Sequence, residues 1–299
     1  MRDSFVRTIV GLLDRDPATA LVLADIGYAR FAETGIVDRH RNRVINVGIR
    51  EQTLIGVAAG LALEGFRPFV HSYTPFLVER PFEQIKLDLV HQGLGAVLVS
   101  VGGSFDAAGE GMTHLSPADV SVLATLPDVD IHVPGHPDEV EGLMRIAAAT
   151  TNTVYIRLAE AVNKAAFPTD GLVHVVKEGS RDAQTILAVG PMLDPLREAT
   201  ADLDITLAYA TTVRPFDGVG LRTVATGSEV TLVEPYLEGT GLPAVVDAFQ
   251  GIPKRYRAIG VGRDEVRKYG SRADHERTHG LDAASLRKRL ETDGQARSI

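Results

Sequence analysis

The sequence predicts an α/β fold of two domains, each a mostly parallel sheet with helices on both faces. Three observations carry this. Short, continuously apolar runs alternate with Ala/Leu-rich or amphipathic stretches, the pattern of strands covered by helices on both sides. The 299 residues exceed one ordinary core and suit two. A loosely patterned stretch at 166–182, punctuated by Pro168, Gly171 and Gly179, separates two βα series. The expected domains are therefore 1–165 and 183–299, with 166–182 as the linker.

In chain order, "MRDSFVRTIVGLL" carries Asp3 early, lacks a small-residue cleavage site, and reads as an amphipathic helix rather than a signal peptide. Strands are expected at 20–25 (ALVLAD), 43–48 (RVINVG), 67–73 (RPFVHSY), 95–103 (GAVLVSVGG), 129–135 (VDIHVPG) and 153–159 (TVYIRLA). Helical stretches fall between them at 50–64, 77–92, 116–126 and 137–150. A second βα series runs through "TILAVGPML", "DITLAYATTV", "LRTVATG" and "PAVVDAF". The final "SRADHERTHGLDAASLRKRLETDG" reads as short helices with a stop at Gly280.

Composition narrows the function. Hydrophobic residues make up 44% and charged residues 23%, as in ordinary globular chains. The net charge of −8 argues against nucleic acid, whose phosphates need a basic surface. With no cysteine there is no disulfide, thiolate nucleophile or Cys-based zinc site, which is compatible with a cytoplasmic location. No apolar run approaches the roughly 20 residues of a membrane span.

Two motifs are decoys. "HERTH" (His275, Glu276, His279) matches H-E-x-x-H, in which two histidines hold zinc and the glutamate activates its water. Its charged flanks and Gly280 favour a solvated helix face, so no metal site is expected in this chain. His132 and His136 are also four apart, but Pro134 and Gly135 break any helix between them. G-x-G-x-x-G and Walker patterns are absent.

A third feature is Glu51, in "INVGIREQTLIG". An acid at a helix N-terminus complements the helix dipole, which is explanation enough for an isolated case. This one directly follows a strand end, where ligands bind in parallel sheets. The next strand ends in "SYTPF", with Tyr73 and Phe76, flat rings that could hold a planar heterocycle or simply fill the core. After the fourth strand, "GGSFDAAGEGMTHLSP" carries Glu110, Thr113 and His114 on a glycine-rich loop. Polar clusters after three successive strands point to one shared site.

These blocks, "INVGIREQTLIGVAAGLALEGFRPFVHSYTPFLVERPFEQI" and "GEGMTHLSPADVSVLATLPDVDIHVPGHPDEVEGL", resemble the pyrimidine-binding domain of the transketolase family and that of deoxyxylulose-phosphate synthase. "YRAIGVGRDEVRKYGSRADHERTHGLDAASL" resembles the family's C-terminal domain, so the likeness covers nearly the whole chain. It implies that thiamine diphosphate is the cofactor. Glu51 matches the catalytic glutamate, which shares a proton with the aminopyrimidine ring and so promotes ylid formation. Phe76 matches the ring that stacks on the pyrimidine, with Tyr73 and Ile26 as further cofactor contacts. His114 matches a histidine touching the substrate or developing alkoxide. Arg2 and Arg157 match two arginines that bind sugar phosphate, and Glu110 an aspartate that reads a sugar hydroxyl.

Several positions depart from the pattern. Ala29 replaces a phosphate-binding serine, Leu115 a glutamine and Glu79 a pocket aromatic, and no histidine precedes the glycine loop. The resemblance therefore leaves room for an acceptor other than an ordinary pentose phosphate. The family's "GDG…N" signature, which holds the diphosphate and Mg²⁺, is absent. The expectation is a split enzyme. This chain would be the subunit with the pyrimidine-binding and C-terminal domains. A separate chain would supply the diphosphate and Mg²⁺ site in an α₂β₂ assembly that transfers a two-carbon ketol unit between small sugars. A keto-acid-using synthase, the β subunit of a keto-acid dehydrogenase, and an inactive scaffold subunit stay open as alternatives; "GIREQ" in place of "xxPIxE" disfavours the dehydrogenase.

Overall fold

The computed structural model describes residues 1–264, 266–267 and 269–295, with side chains to Glu291. Among them the strands are β1 (Thr19–Leu23), β2 (Val44–Asn46), β3 (Arg67–Tyr73), β4 (Val97–Val101), β5 (Val129–His132), β6 (Thr153–Arg157), β7 (His174–Lys177), β8 (Gln184–Val189), β9 (Ile205–Ala210), β10 (Thr212–Arg214), β11 (Glu229–Leu237) and β12 (Arg255–Val261). The helices are α1 (Arg2–Arg15), α2 (Tyr28–Glu33), α3 (Ile36–Arg39), α4 (Glu51–Leu63), α5 (Phe82–Gln84), α6 (Asp119–Leu123), α7 (Pro137–Ala148), α8 (Leu193–Ala199), α9 (Gly218–Val224), α10 (Leu242–Ala248), α11 (Arg272–His279) and α12 (Ala283–Gln295).

The first sheet has the order β10-β5-β6-β4-β3-β1-β2 and the second β12-β11-β8-β9-β7. Both are parallel except at one edge, where β10 and β7 run antiparallel. Successive strand residues point to opposite faces. Leu21, Leu23, Phe69, Val97 and Val99 thus pack under α1 and α7 with Phe5, Ile9, Leu143 and Met144. Val22, Val70 and Leu98 face the other way, under α4 and α6. That second core runs on without a break into Leu187, Ala208, Val230 and Leu232 of the other sheet. The far face of the second sheet is closed by α8 and α12, through Leu193, Leu196, Leu286 and Leu290.

All six strands expected in the first half are present, within a few residues of their ends. The structure adds detail at four stretches. The stretch 166–182 is not merely a linker, because β7 lies inside it as a half-exposed edge strand with no clear alternation. "LRTVATG" and "PAVVDAF" contribute helices α9 and α10; Pro243 sits at the first turn of α10, where its missing N–H costs nothing. The strands flanking them, β11 and β12, are "EVTLVEPYL" and "RYRAIGV". The stretch 77–92 is helical but irregular, with π segments Pro75–Glu79 and Ile85–His91 on either side of α5. Among the described residues no helix is long and apolar enough to cross a membrane.

One core residue makes stability depend on pH. His71 on β3 is fully buried, its ring 4.7 Å from that of Phe5 and its Nδ1 2.8 Å from the Val99 carbonyl. Burial pushes its pKa down to about 4, against the Val99 carbonyl and with help from Arg2. The unfolded chain takes up this proton near pH 6.5, the folded chain only near 4, so stability present at neutral pH is lost as pH falls through that window. Between pH 7.5 and 4.5, urea titrations should show wild type losing on the order of 2–3 kcal/mol more than His71→Phe. Equal losses would refute the buried, neutral assignment.

Candidate functional site

In the first sheet β2 lies to one side of β1 and β3 to the other, so the chain reverses direction between β1 and β3. Open α/β sheets bind ligands outside the carboxyl ends of the strands at such a point. Glu51, Tyr73, Phe76 and His114 gather there. Asn46, at the end of β2, accepts at Oδ1 from the backbone N–H groups of Asp25 (2.9 Å) and Gly48 (3.1 Å), tying the β1 and β2 loops together. The chain then enters α4, whose first residue is Glu51.

Glu51 is 3% exposed. It sits at the positive end of the helix dipole. Its Oε1 accepts from Arg80 Nη1 at 3.0 Å. Among the described residues no hydrogen-bond partner is found for Oε2. Arg50, its sequence neighbour, is exposed, so the pairing cation comes from 29 residues further along.

Phe76 lies in the π segment after β3 and is buried. Thr74 Oγ1 donates to the Val101 carbonyl and anchors that segment to β4. The Phe76 ring is 4.9 Å from His114 and 6.2 Å from Tyr73, both edge-to-face; Tyr73 and His114 are 5.7 Å apart. Such geometry suits the ring quadrupoles. The Arg80 guanidinium lies over the Phe76 ring at 3.8 Å. Glu51, Arg80, Phe76, His114 and Tyr73 thus form one contiguous group. Gly102, at φ 78°, permits the close approach, since a Cβ there would fall 2.5 Å from the Tyr73 ring.

Beside this group opens a cleft of about 590 Å³, lined by Arg2, Arg30, Tyr73, Gly102, Asp106 and Glu110 among others. Arg2 and Glu110 therefore line the same cleft as Tyr73. Ile26 is half-buried in the loop after β1 at the same sheet edge but does not line this cleft. Asp106 also borders it; burial pushes its carboxyl up to about 6, against a hydrogen bond from the Glu160 N–H and the charges of Arg157 and Arg272.

Arg157 is held deeper than Arg2 and Glu110. It is 1% exposed, donating from Nε to Asp119 Oδ2 (2.7 Å) and from Nη2 to Ser104 Oγ (2.6 Å). Tyr155 donates to the same Asp119 oxygen, and Ser104 to the Pro235 carbonyl. Arg157 lines a cleft of about 790 Å³ that shares Asp106 and Ala159 with the one holding Arg2 and Glu110. Its geometry is that of a framework residue that ties β6 to α6, the glycine loop and β11.

The "HERTH" segment forms most of α11. Among the described residues no group of His, Asp and Glu is placed to hold a metal. The solvated-face reading fails at one residue: His275 is buried, stacked on Phe105 at 5.5 Å, with Nε2 donating to the Tyr269 carbonyl. His279 stacks on the same ring at 5.6 Å, while Glu276 pairs with Arg272. The glycine loop is therefore braced through Phe105 by α11. Sequence reasoning missed Arg80 and Asn46; the only signal for Arg80 was an arginine closing the "FLVER" block.

The family "Transketolase, pyrimidine binding domain" matches residues 1–163. The chain is 45% identical over 291 residues to an uncharacterized 33.6 kDa protein in the fasciation locus of Rhodococcoides fascians, covering 96% of this chain and 92% of that one. It is 27% identical to one of the subunits of apulose-4-phosphate transketolase from Actinobacillus succinogenes, with 96% and 94% coverage. It is 31% identical to 1-deoxy-D-xylulose-5-phosphate synthase of Albidiferax ferrireducens over 83% of this chain, and spans only 40% of that enzyme. A solved structure described as a split gene transketolase, inactive β4 tetramer, shares the fold with TM-score 0.83 at 24% identity, covering 97% of this chain and 96% of that one. The domain match over residues 1–163, together with an acid, flat rings and a histidine at the reversal point of a parallel sheet, makes this chain a member of the transketolase family.

Proposed function

We propose that this chain forms the pyrimidine side of a thiamine diphosphate site and acts as one subunit of a split transketolase-type enzyme in the cytoplasm. The enzyme would move a two-carbon ketol unit from a ketose to an aldehyde acceptor. A separate subunit would hold the diphosphate and Mg²⁺, in an α₂β₂ assembly. The observation that carries this is the single group of Glu51, Phe76, Tyr73 and His114.

The donor set fits an aminopyrimidine. Phe76 offers a flat apolar ring, and Glu51 a buried carboxylate with one oxygen unengaged. When bound, thiamine diphosphate supplies the nucleophilic carbon and an electron sink. Glu51 would hold the proton shared with the pyrimidine nitrogen. The rings of Phe76 and Tyr73 would orient the cofactor and keep water from Glu51. His114, with Nδ1 engaged by Thr113 Oγ1 at 2.9 Å, keeps Nε2 for a substrate oxygen.

The cleft also bears on substrate class. It is lined by the carboxylates of Asp3, Asp106, Glu110 and Glu160 against Arg2 and Arg30, and Arg30 is already paired with Asp3. Carboxylates suit the hydroxyls of a sugar and repel an anion, which favours a polyhydroxylated substrate over a keto acid. Exposed Ile49 and Met112, at 70% and 64% accessibility, lie just before α4 and on the glycine loop, at the same sheet edge as the site, and support a partner surface there.

Co-expression with a chain bearing the "GDG…N" motif tests the reading. The expected result is a stable complex that binds thiamine diphosphate with Mg²⁺ and transfers ketol units, with neither chain active alone. A complex that forms but binds no thiamine diphosphate would overturn it.

A further inference from the structure

Arg80 is the one member of the site group that no family correspondence assigned. Its position has two independent parts. The guanidinium lies 3.8 Å from the centre of the Phe76 ring, and its Nη1 donates to Glu51 Oε1 at 3.0 Å. A flat, N–H-bearing group thus covers the ring and engages the carboxylate together. These are the same two surfaces that an aminopyrimidine would use.

The backbone explains how Arg80 gets there. The π segment ends with the Arg80 N–H bonded to the Pro75 carbonyl at 3.2 Å, and the Arg80 carbonyl accepts from Gln52 Nε2 on α4 at 3.2 Å. The main chain is therefore held between two elements. The side chain is 45% exposed and has solvent to move into. Arginine suits this position better than lysine, because only a planar guanidinium can lie on a ring and bond a carboxylate at once.

We propose that Arg80 is a built-in competitor for the cofactor's pyrimidine: it holds the Phe76 face and the Glu51 carboxylate, and the heterocycle reaches both only by displacing it. This rests on the thiamine diphosphate reading above. It adds that Glu51 is kept paired, and its ring neighbour covered, until displacement occurs. A half-exposed ion pair and an exposed cation–π contact are each modest, and together bias the side chain toward the covering position by roughly tenfold. Apparent cofactor affinity falls by the same factor, because only the uncovered fraction binds.

The test is calorimetric titration of thiamine diphosphate, with Mg²⁺, into the assembled complex carrying wild-type chain, Arg80→Ala, Arg80→Gln or Arg80→Lys. Melting temperatures would confirm that each variant assembles. The expected result is cofactor binding about three- to tenfold tighter in Arg80→Ala and Arg80→Gln, with Arg80→Lys intermediate. Unchanged or weaker binding in both neutral variants overturns the competitor role and makes Arg80 a support for the bound cofactor or a bystander. Failure of the wild-type complex to bind thiamine diphosphate at all would instead overturn the proposed function.

Discussion

Glu51→Gln is expected to lower kcat of the assembled enzyme by at least about a hundredfold while leaving assembly intact, the range for loss of a positioned proton-transfer group. Glutamine has the shape of glutamate and can still accept a hydrogen bond from Arg80, so the site's packing survives. It cannot hold the proton that the pyrimidine nitrogen has to share. Stability should move little, because the pair it weakens has a half-exposed partner. The measurement is steady-state turnover beside thermal melts of the same preparation. A Glu51→Gln enzyme with more than a tenth of wild-type kcat would remove Glu51 from the mechanism and favour an inactive scaffold subunit.

The second large effect concerns folding. Arg157→Met should destabilise the chain by about 3–5 kcal/mol, since it leaves Asp119 charged and buried without its cation. Asp119 is fully buried, its Oδ1 has no hydrogen-bond partner, and without Arg157 its Oδ2 keeps only the neutral Tyr155 hydroxyl, which cannot balance the charge. The double variant Arg157→Met/Asp119→Leu should recover most of the loss, because removing both charges also removes their desolvation cost. Urea titration of the single and double variants decides the matter. A stable Arg157→Met protein whose only defect is a raised KM would refute this framework role and support the substrate-binding role that the resemblance implies.

These two residues show how far the sequence could be read. Glu51 was legible because three signals agree there: a strand end, a helix start, and aromatics after the next strand. The partners of Arg157 were not, because "YIRL" in a line of text does not say what a strand-end side chain bonds. That is decided by Asp119 and Ser104, far away along the chain. Arg80 was missed for a related reason: the π segment sets where it falls, and π geometry leaves no period in the sequence. Six of the seven strands of the first sheet were read because most are buried on both faces and largely apolar; the seventh, β10, arrives from the second half of the chain. In the second half "EVTLVEPYL" carries two acids and a proline inside a buried strand. Glu234 is satisfied there by the N–H groups of Gly239 and Gly241, a local arrangement invisible beforehand.

The antiparallel strand β10 has a bearing on synthesis. It follows β8 and β9 of the second sheet in the chain, yet it pairs with β5, placing Thr212 opposite His132 and Arg214 opposite Ile131. Arg214 then bonds the carbonyls of Ala124 and Leu126 beside β5. As the polypeptide leaves the ribosome, the outer edge of β5 therefore waits, its ladder groups unpaired, until Arg214 has emerged. An open edge of that kind invites pairing with another nascent chain. In this protein the risk during translation lies at β5, a strand remote from Glu51, and it ends only when the second half delivers the strip that seals the first.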